Sequence, residues 1–133
     1  MQGEDSTLGN TTILLVEDDH AVRRVAERAL TRDGFQVLSA EGGVEALELT
    51  SEHPGTIDLL LTDIMMPVMN GVEVAAKVVE LRPDIRVLYM SGYADQELVR
   101  RGLLDPETHF LQKPFAPQEL CGRVKEILDG AGG

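Results

Sequence analysis

The sequence predicts an α/β domain built on a doubly wound, five-stranded parallel sheet. Two observations lead to this prediction. Five apolar runs alternate along the chain with segments of helical periodicity. The runs are continuous instead of alternating with polar residues, which is typical of strands buried on both faces by helices. Because crossovers between parallel strands are right-handed, a doubly wound sheet is the expected closure.

The bounds of each strand and helix are predicted from the residues at which these patterns begin and end. Strands are predicted at residues 12–17, 35–40, 57–63, 85–91 and 108–112. Helices are predicted at residues 20–32, 44–52, 71–82, 94–104 and 117–129. Turn-forming residues such as Asp33-Gly34 and Pro83 separate them. Residues 1–11 are predicted to form a flexible lead-in and residues 130–133 a disordered tail.

Composition limits the classes of partner and environment. The 133 residues, the size of one domain, carry 12 basic and 23 acidic side chains and a net charge of -11. This charge argues against direct binding of nucleic acid or anionic membrane surfaces, since both need clustered Lys and Arg. The single cysteine, Cys121, fits a reducing, cytoplasmic setting and is interpreted as a buried structural thiol. No apolar run approaches the roughly 20 residues that span a bilayer, and the polar N-terminus does not resemble a signal peptide.

Charged and hydroxyl side chains stand where the predicted strands end. They are Glu17, Asp18 and Asp19 at the end of the first strand, Asp63 at the end of the third, Ser91 at the end of the fourth and Lys113 after the fifth. In doubly wound sheets the functional site lies at the carboxyl ends of the strands, beside the point where the strand order reverses. If the first strand is central and the third lies beside it, these side chains converge on one cleft.

A cleft with three or four carboxylates favours a bound cation, because unpaired carboxylates at close range repel one another. Mg²⁺ prefers oxygen ligands and keeps several waters, so one or two protein carboxylates suffice to hold it. With an ammonium and a hydroxyl group nearby, such an ion suits a phosphoryl group, whose oxygens carry distributed negative charge. Asp63 is then either a metal ligand or the nucleophile of aspartyl-phosphate chemistry.

Four short motifs, in this order, resemble the receiver (response-regulator) domain of two-component phosphorelay signalling. They are VEDD at 16–19, LLLTDIMMPVMNG at 59–71, YMSG at 89–92 and LQKPF at 111–115. The resemblance covers residues 12–129 and implies a flavodoxin-like (βα)5 fold with strand order 2-1-3-4-5. It also implies a phosphoacceptor that catalyses its own phosphorylation and dephosphorylation. The phosphoryl group would come from a phosphohistidine on a sensor histidine kinase or a histidine phosphotransfer protein.

The resemblance implies roles for the residues at the predicted site. Asp63 would be the phosphoacceptor, and Lys113 would pair with the phosphoryl oxygens. Asp18, Asp63 and the backbone carbonyl of Met65 would hold Mg²⁺ directly, while Glu17 would act mainly through a coordinated water.

Further residues are implied to transmit or tune the signal. The Ser91 hydroxyl would move toward the phosphoryl group, and Phe110, at a position where Tyr is frequent, would be the aromatic switch residue coupled to it. Met65 and Tyr93 would flank the phosphoryl site and tune hydrolysis of the acyl phosphate. Asp19 matches a commonly acidic position with no defined role.

The docking surface for the partner is implied to combine the first helix with the loop after the fifth strand. Its candidate residues are Ala21, Val22, Val25, Pro114 and Phe115. The resemblance also implies a cis peptide bond between Lys113 and Pro114, an uncommon conformation even for X-Pro bonds.

Two other classes share parts of this pattern. A flavodoxin-like nucleotide-binding module has the same architecture, but it needs a phosphate loop of small and hydroxyl residues where this chain has EDDH. A metal-dependent phosphatase or nuclease needs a pair of acids separated by one residue, where Asp63-Ile64-Met65 supplies one acid. Within the receiver class, the sequence resembles the receivers of hybrid sensor histidine kinases, and a stand-alone single-domain regulator is the alternative.

Overall fold

The fold is a five-stranded parallel sheet with helices on both faces. The computed structural model describes residues 11–92 and 108–130. The strands are β1 (Thr12–Val16), β2 (Gln36–Ala40), β3 (Leu59–Asp63), β4 (Arg86–Ser91) and β5 (His109–Gln112). The described helices are α1 (His20–Arg32), α2 (Gly43–Glu52), α3 (Gly71–Leu81) and α4 (Pro117–Gly130). The strands are parallel in the order β2-β1-β3-β4-β5, which confirms the predicted fold class and strand order.

The observed elements differ little from their predicted bounds. The first helix begins and ends where it was predicted, whereas β3 begins at Leu59, two residues later than predicted. The preceding residue, Asp58, instead uses its carboxylate to accept a hydrogen bond from the Thr12 N–H at 2.9 Å. The predicted helix at 94–104 lies outside the described residues.

In the part of the chain that the structure describes, each face of the sheet is covered by a pair of helices. All residues of β1 and β3 are buried, because both strands are central and covered on both sides. Leu15 of β1 lies in the core beneath α1 and α4. The neighbouring Leu14 lies in the core beneath α2 and α3. Each fully buried leucine contributes roughly 2–3 kcal/mol to folding, and this two-sided burial explains the continuous apolar runs in the sequence.

Capping side chains fix the two helices that begin at the carboxyl edge of the central strands. Asp19 precedes α1, and its carboxylate accepts from the first free N–H groups of the helix. Asn70 precedes α3 and forms a reciprocal capping box with Glu73, with both hydrogen bonds at 2.9 Å. Caps of this kind typically contribute about 1 kcal/mol each. Among the residues that the structure describes, no helix has the length and apolar character needed to span a bilayer.

Gly71 places α3 directly against the end of β3. Its N–H donates to the Ile64 carbonyl at 2.8 Å. A Cβ at this position would overlap the carbonyl oxygen of Asp63. A glycine is therefore required here by close packing of one backbone on another, and this contact sets the position of the Asp63 main chain.

Replacing Gly71 with Ala should destabilise the domain by roughly 1–3 kcal/mol, because α3 or the end of β3 must move to admit the methyl group. Gly122→Ala is the matched control, since an added Cβ within α4 meets nothing within 4 Å. That control should stabilise the domain by up to about 1 kcal/mol. Urea denaturation measures both changes, and equal effects of the two substitutions would contradict the close-packing role of Gly71.

Candidate functional site

Three segments that follow strands meet at the carboxyl edge of the sheet. Glu17 follows β1, Asp63 ends β3 and Lys113 follows β5. Backbone hydrogen bonds extend the sheet into these segments: the Glu17 N–H donates to the Ala40 carbonyl at 3.1 Å, and the Lys113 N–H donates to the Ser91 carbonyl at 2.8 Å. The strands therefore fix the positions of all three functional residues.

The Lys113 ammonium bridges two buried carboxylates. Its Nζ lies 2.7 Å from Glu17 Oε1 and 3.2 Å from Asp63 Oδ2. The Glu17 side chain is fully buried, and that of Asp63 is 8% exposed. Two carboxylates so far from water need a counter-charge with close hydrogen bonds, and Lys113 supplies both.

Three carboxylates converge at the mouth of this ion cluster. Glu17, Asp18 and Asp63 can each present an oxygen so that the three oxygens lie within 4.8 Å of one another. Glu17 and Asp63 are buried, whereas Asp18 is exposed and faces solvent. A set of carboxylate oxygens at this spacing is the donor set that hard divalent cations such as Mg²⁺ prefer, so these residues fit the ion.

The charges of the cluster shift its protonation equilibria. Burial raises the pKa of the Glu17 carboxyl to about 7, although hydrogen bonds from Lys113 and from the Asp19 N–H oppose this shift. Burial alone would lower the pKa of the Lys113 ammonium, but its contacts with Glu17 and Asp63 outweigh this and raise that pKa. Lys113 therefore stays charged near neutral pH, while Glu17 titrates in that range.

Asp19 has a structural role that the sequence did not predict. Its Oδ1 accepts hydrogen bonds from the N–H groups of Ala21 and Val22 at 2.9 and 3.1 Å. Its own N–H donates to Glu17 Oε2 at 3.0 Å. Asp19 thus begins α1 and orients Glu17, and it is not one of the three converging acids.

Arg23 is a site residue that the sequence reasoning missed. Its guanidinium donates to the Glu17 carbonyl oxygen at 2.9 Å and lies 3.8 Å from Glu41 Oε2 in the loop after β2. The side chain is only 12% exposed. The signal was present in the sequence, because Arg23 is three and seven residues before Ala26 and Leu30 and so shares their buried face of α1.

Ser91 and Phe110 lie on adjacent strands. Ser91 is fully buried at the end of β4. Phe110 is half-buried in β5 and pairs with Tyr89 of β4, with ring centroids 6.3 Å apart and planes tilted by 39°. Burial raises the pKa of the Tyr89 hydroxyl. Ser91 is therefore only two residues along β4 from Tyr89, the residue whose ring contacts Phe110.

The five residues predicted for docking all keep some exposure. Ala21, Val25 and Pro114 are at least partly exposed, and Val25 is 48% accessible. Val22 and Phe115 are half-buried, with Phe115 packed against the core beneath α1 and α4. The apolar residues of α1 thus form two groups: Ala26, Ala29 and Leu30 are buried, whereas the predicted docking residues of the helix keep some exposure.

Two loops border the cleft. In the β3–α3 loop, Met65 is 56% exposed at the rim. Val68 has a φ of 71°, and the Met69 N–H donates to the Pro67 carbonyl at 2.7 Å, which forms a γ-turn.

In the loop after β5, the Lys113-Pro114 bond is cis, which confirms that prediction. Tyr93 lies outside the described residues.

Cys121 is half-buried, and its Sγ lies 3.4 Å from the Ala29 carbonyl oxygen.

Known proteins resemble this chain in sequence and in fold. The chain is 40% identical over 121 residues to the sensor kinase CckA of Brucella abortus (strain 2308), a match that covers 91% of this chain and 13% of that protein. It is 35% identical over 119 residues to the response regulator receiver protein CpdR of the same organism, covering 90% of this chain and 98% of CpdR. The solved receiver domain of the hybrid histidine kinase CckA superimposes with a TM-score of 0.75 at 38% identity, covering 89% of this chain and 99% of that one.

The family assignment follows from the extent of the match. The chain spans a small part of the sensor kinase and nearly the whole of CpdR. The family model described as the response regulator receiver domain matches residues 13–125. This chain therefore belongs to the response regulator receiver domain family of two-component signalling.

Proposed function

We propose that this receiver domain is a phosphoacceptor that takes a phosphoryl group from a phosphohistidine onto Asp63. The observation that carries the proposal is the position of the Asp63 carboxylate. It ends a central strand, is nearly buried and lies 3.2 Å from the Lys113 ammonium. A buried carboxylate held beside a cation is well placed to attack phosphorus and to have its product stabilised.

In the proposed reaction, a carboxylate oxygen of Asp63 attacks the phosphorus in line with the bond to the histidine nitrogen. The P–N bond breaks as the P–O bond of the acyl phosphate forms, and the electron pair of the broken bond stays with the histidine nitrogen. Lys113 pairs with the phosphoryl oxygens, because its ammonium already lies against the attacking carboxylate. Hydrolysis of the acyl phosphate by the domain itself would return the resting state, at a rate tuned by Met65 and Tyr93.

The same residues would hold Mg²⁺. Asp18, Asp63 and the backbone carbonyl of Met65 are the proposed direct ligands, with Glu17 acting through a water. Bound there, Mg²⁺ would neutralise developing negative charge on the phosphoryl oxygens. The convergence of three carboxylate oxygens within 4.8 Å supports this assignment, and Asp19 is left out because its carboxylate caps α1.

Phosphorylation would be transmitted through Ser91 and Phe110. The proposed movement of the Ser91 hydroxyl toward the phosphoryl group would act at the end of β4, where the Ser91 carbonyl also accepts from the Lys113 N–H. The Tyr89 ring connects β4 to Phe110 of β5. Such a local change of charge and hydrogen bonding is the usual way in which a modification biases a two-state element.

A hybrid sensor histidine kinase is the proposed setting of this domain, with its kinase or a histidine phosphotransfer protein as the cytoplasmic partner. Its similarity to CckA supports that setting. The match to CpdR, which covers 90% of this chain and 98% of that protein, supports the alternative of a stand-alone regulator. The net charge of -11 supports a domain that contacts neither nucleic acid nor membrane directly.

Asp63→Asn should abolish phosphorylation by acetyl phosphate in the presence of Mg²⁺, because the amide cannot form an acyl phosphate. The unmodified protein should acquire one phosphoryl adduct by intact mass. Asp84→Asn is the control, since Asp84 is an exposed acid in the turn before β4, at the opposite edge of the sheet. Binding of a flavin nucleotide without any adduct would instead support the nucleotide-binding alternative.

Ser91→Ala should leave the phosphoryl adduct on Asp63 but reduce the spread of amide chemical-shift changes to Phe110 by at least about half, because the hydroxyl that couples the two is missing. The shifts are measured by NMR with beryllium fluoride as the phosphoryl mimic. Ser39→Ala is the control, as this half-buried hydroxyl on β2 makes no hydrogen bond to any described residue. Unchanged shifts at Phe110 in Ser91→Ala would contradict the coupling.

The metal-free domain should become more stable as the pH falls from about 8 to 6. The folded state raises the pKa of Glu17 to about 7 from 4.5, so it binds a proton more tightly than the unfolded chain over this range. Because proton binding is linked to folding, the free energy of unfolding should increase by about 1 kcal/mol as the pH falls across these two units. Urea denaturation in EDTA measures the change, and Glu17→Gln should lack this increment. Parallel stability profiles for the two proteins would contradict the shift.

A further inference from the structure

The acidic loop between β1 and α1 contains one carboxylate that no described side chain holds. Asp18 is exposed, and its carboxylate makes no hydrogen bond or ion pair with any residue in 11–92 or 108–130. It nevertheless converges with Glu17 and Asp63, so that one oxygen of each lies within 4.8 Å of the others. The main chain is therefore what places Asp18 in this group.

Two hydrogen bonds fix the peptide groups on either side of Asp18. The carbonyl oxygen of Glu17 belongs to the peptide group that enters Asp18, and it accepts from Arg23 Nη1 at 2.9 Å. The N–H of Asp19 belongs to the peptide group that leaves Asp18, and it donates to Glu17 Oε2 at 3.0 Å. Because each peptide group is planar, these two bonds restrain both backbone torsion angles of Asp18.

Arg23 can hold the Glu17 carbonyl because its own guanidinium is fixed at further points. The side chain is only 12% exposed. Its Nη2 lies 3.0 Å from His20 Nδ1, which accepts the hydrogen bond because arginine carries only donors. Nη2 also lies 3.8 Å from Glu41 Oε2, a weaker contact because the Glu41 side chain is 77% exposed. The planar guanidinium thus links the end of β1 to the first turn of α1 and to the loop after β2.

We propose that Arg23 is a positioning residue for the divalent cation. By holding the Glu17 carbonyl, it directs the Asp18 carboxylate toward the oxygens of Asp63. This inference rests on the proposed function, in which Asp18 and Asp63 are direct ligands of Mg²⁺. It adds a residue that acts through Asp18, and it makes the affinity for Mg²⁺ depend on a side chain of α1.

The charge of Arg23 and its position predict opposite effects on Mg²⁺ binding. A cation beside the cluster repels a second cation, so removal of its charge alone would tighten the binding of Mg²⁺. Loss of the hydrogen bond to Glu17 would instead free the peptide group before Asp18, and metal binding would then have to order it. Because removal of an outer residue that orients a metal ligand weakens affinity by roughly ten- to a hundredfold, we expect the effect of position to dominate.

Magnesium titrations followed by the amide chemical shifts of the β1–α1 loop measure this affinity without any phosphorylation. Arg23→Met should bind Mg²⁺ roughly tenfold more weakly than the unmodified domain. Arg24→Met is the matched control, because Arg24 is the exposed neighbour on the same helix and makes no ion pair with the described residues. It should stay within about twofold of the unmodified domain, as should Glu41→Gln, which removes only the weaker contact of Arg23.

Arg23→Lys separates the charge of the side chain from its shape. It keeps the positive charge but replaces the planar fork with one ammonium group, so its affinity for Mg²⁺ should be intermediate, roughly threefold below that of the unmodified domain. Urea denaturation shows which variants are folded at the temperature of the titrations. If Arg23→Met does not fold, the affinity of Arg23→Lys decides the test.

Phosphorylation of Asp63 by acetyl phosphate gives a second readout, which a general loss of structure would not reproduce. In Arg23→Met, the Mg²⁺ concentration for the half-maximal rate should rise about tenfold, while the rate at saturating Mg²⁺ stays within about twofold. An unmodified domain that neither binds Mg²⁺ nor becomes phosphorylated would overturn the proposed function itself. Normal binding by the unmodified domain, with unchanged or tighter binding by the folded Arg23 variants, would overturn the role of Arg23 alone.

Discussion

The ion pairs of Lys113 with Glu17 and Asp63 are the interaction on which the arrangement of the sheet depends. Two carboxylates are buried at the ends of β1 and β3, and the cation that compensates them follows β5. Without that cation, each buried charge would be costly enough to be protonated or expelled. The three residues can meet only if their strands end at the same edge, which requires parallel strands joined by crossovers. The helices α1, α2 and α3 are crossovers of this kind, whereas α4 follows the last strand.

The contacts that hold this cluster in place are made mainly to its backbone. Arg23 donates to the carbonyl of Glu17, Gly71 packs against the carbonyl of Asp63, and Asp19 caps the helix that follows the acidic loop. Because these contacts are made to main-chain atoms, they leave the carboxylate oxygens of Asp18 and Asp63 to Lys113 and to a cation, while Glu17 Oε2 accepts from the Asp19 N–H. The main chain at Glu17 and Asp63 is therefore held in place without occupying the oxygens of Asp18 and Asp63 that the proposed chemistry uses.

Much of the fold could be predicted from the sequence because its signals are local. Continuous apolar runs, helical spacing and turn residues located β1 and α1 within one residue, and the resemblance carried by the four motifs implied the strand order. Contacts between distant residues could not be predicted in this way. The role of Gly71 is an example, because its packing on Asp63 depends on how α3 returns to β3. Arg23 and the Tyr89–Phe110 contact likewise depend on neighbours brought together by the tertiary fold.

The balance of charge in the cleft explains why this arrangement suits a switch. With Glu17 ionised, three carboxylates face one ammonium, so the cluster holds two negative charges in excess. A divalent cation on the proposed ligands would neutralise that excess, and a phosphoryl group on Asp63 would then restore negative charge beside Lys113. Each step changes the electrostatic field at the buried carboxylates of Glu17 and Asp63, where charges are less screened than in water. The hydrogen bond from the Lys113 N–H to the Ser91 carbonyl connects this cluster to β4, which pairs with β5 at Phe110.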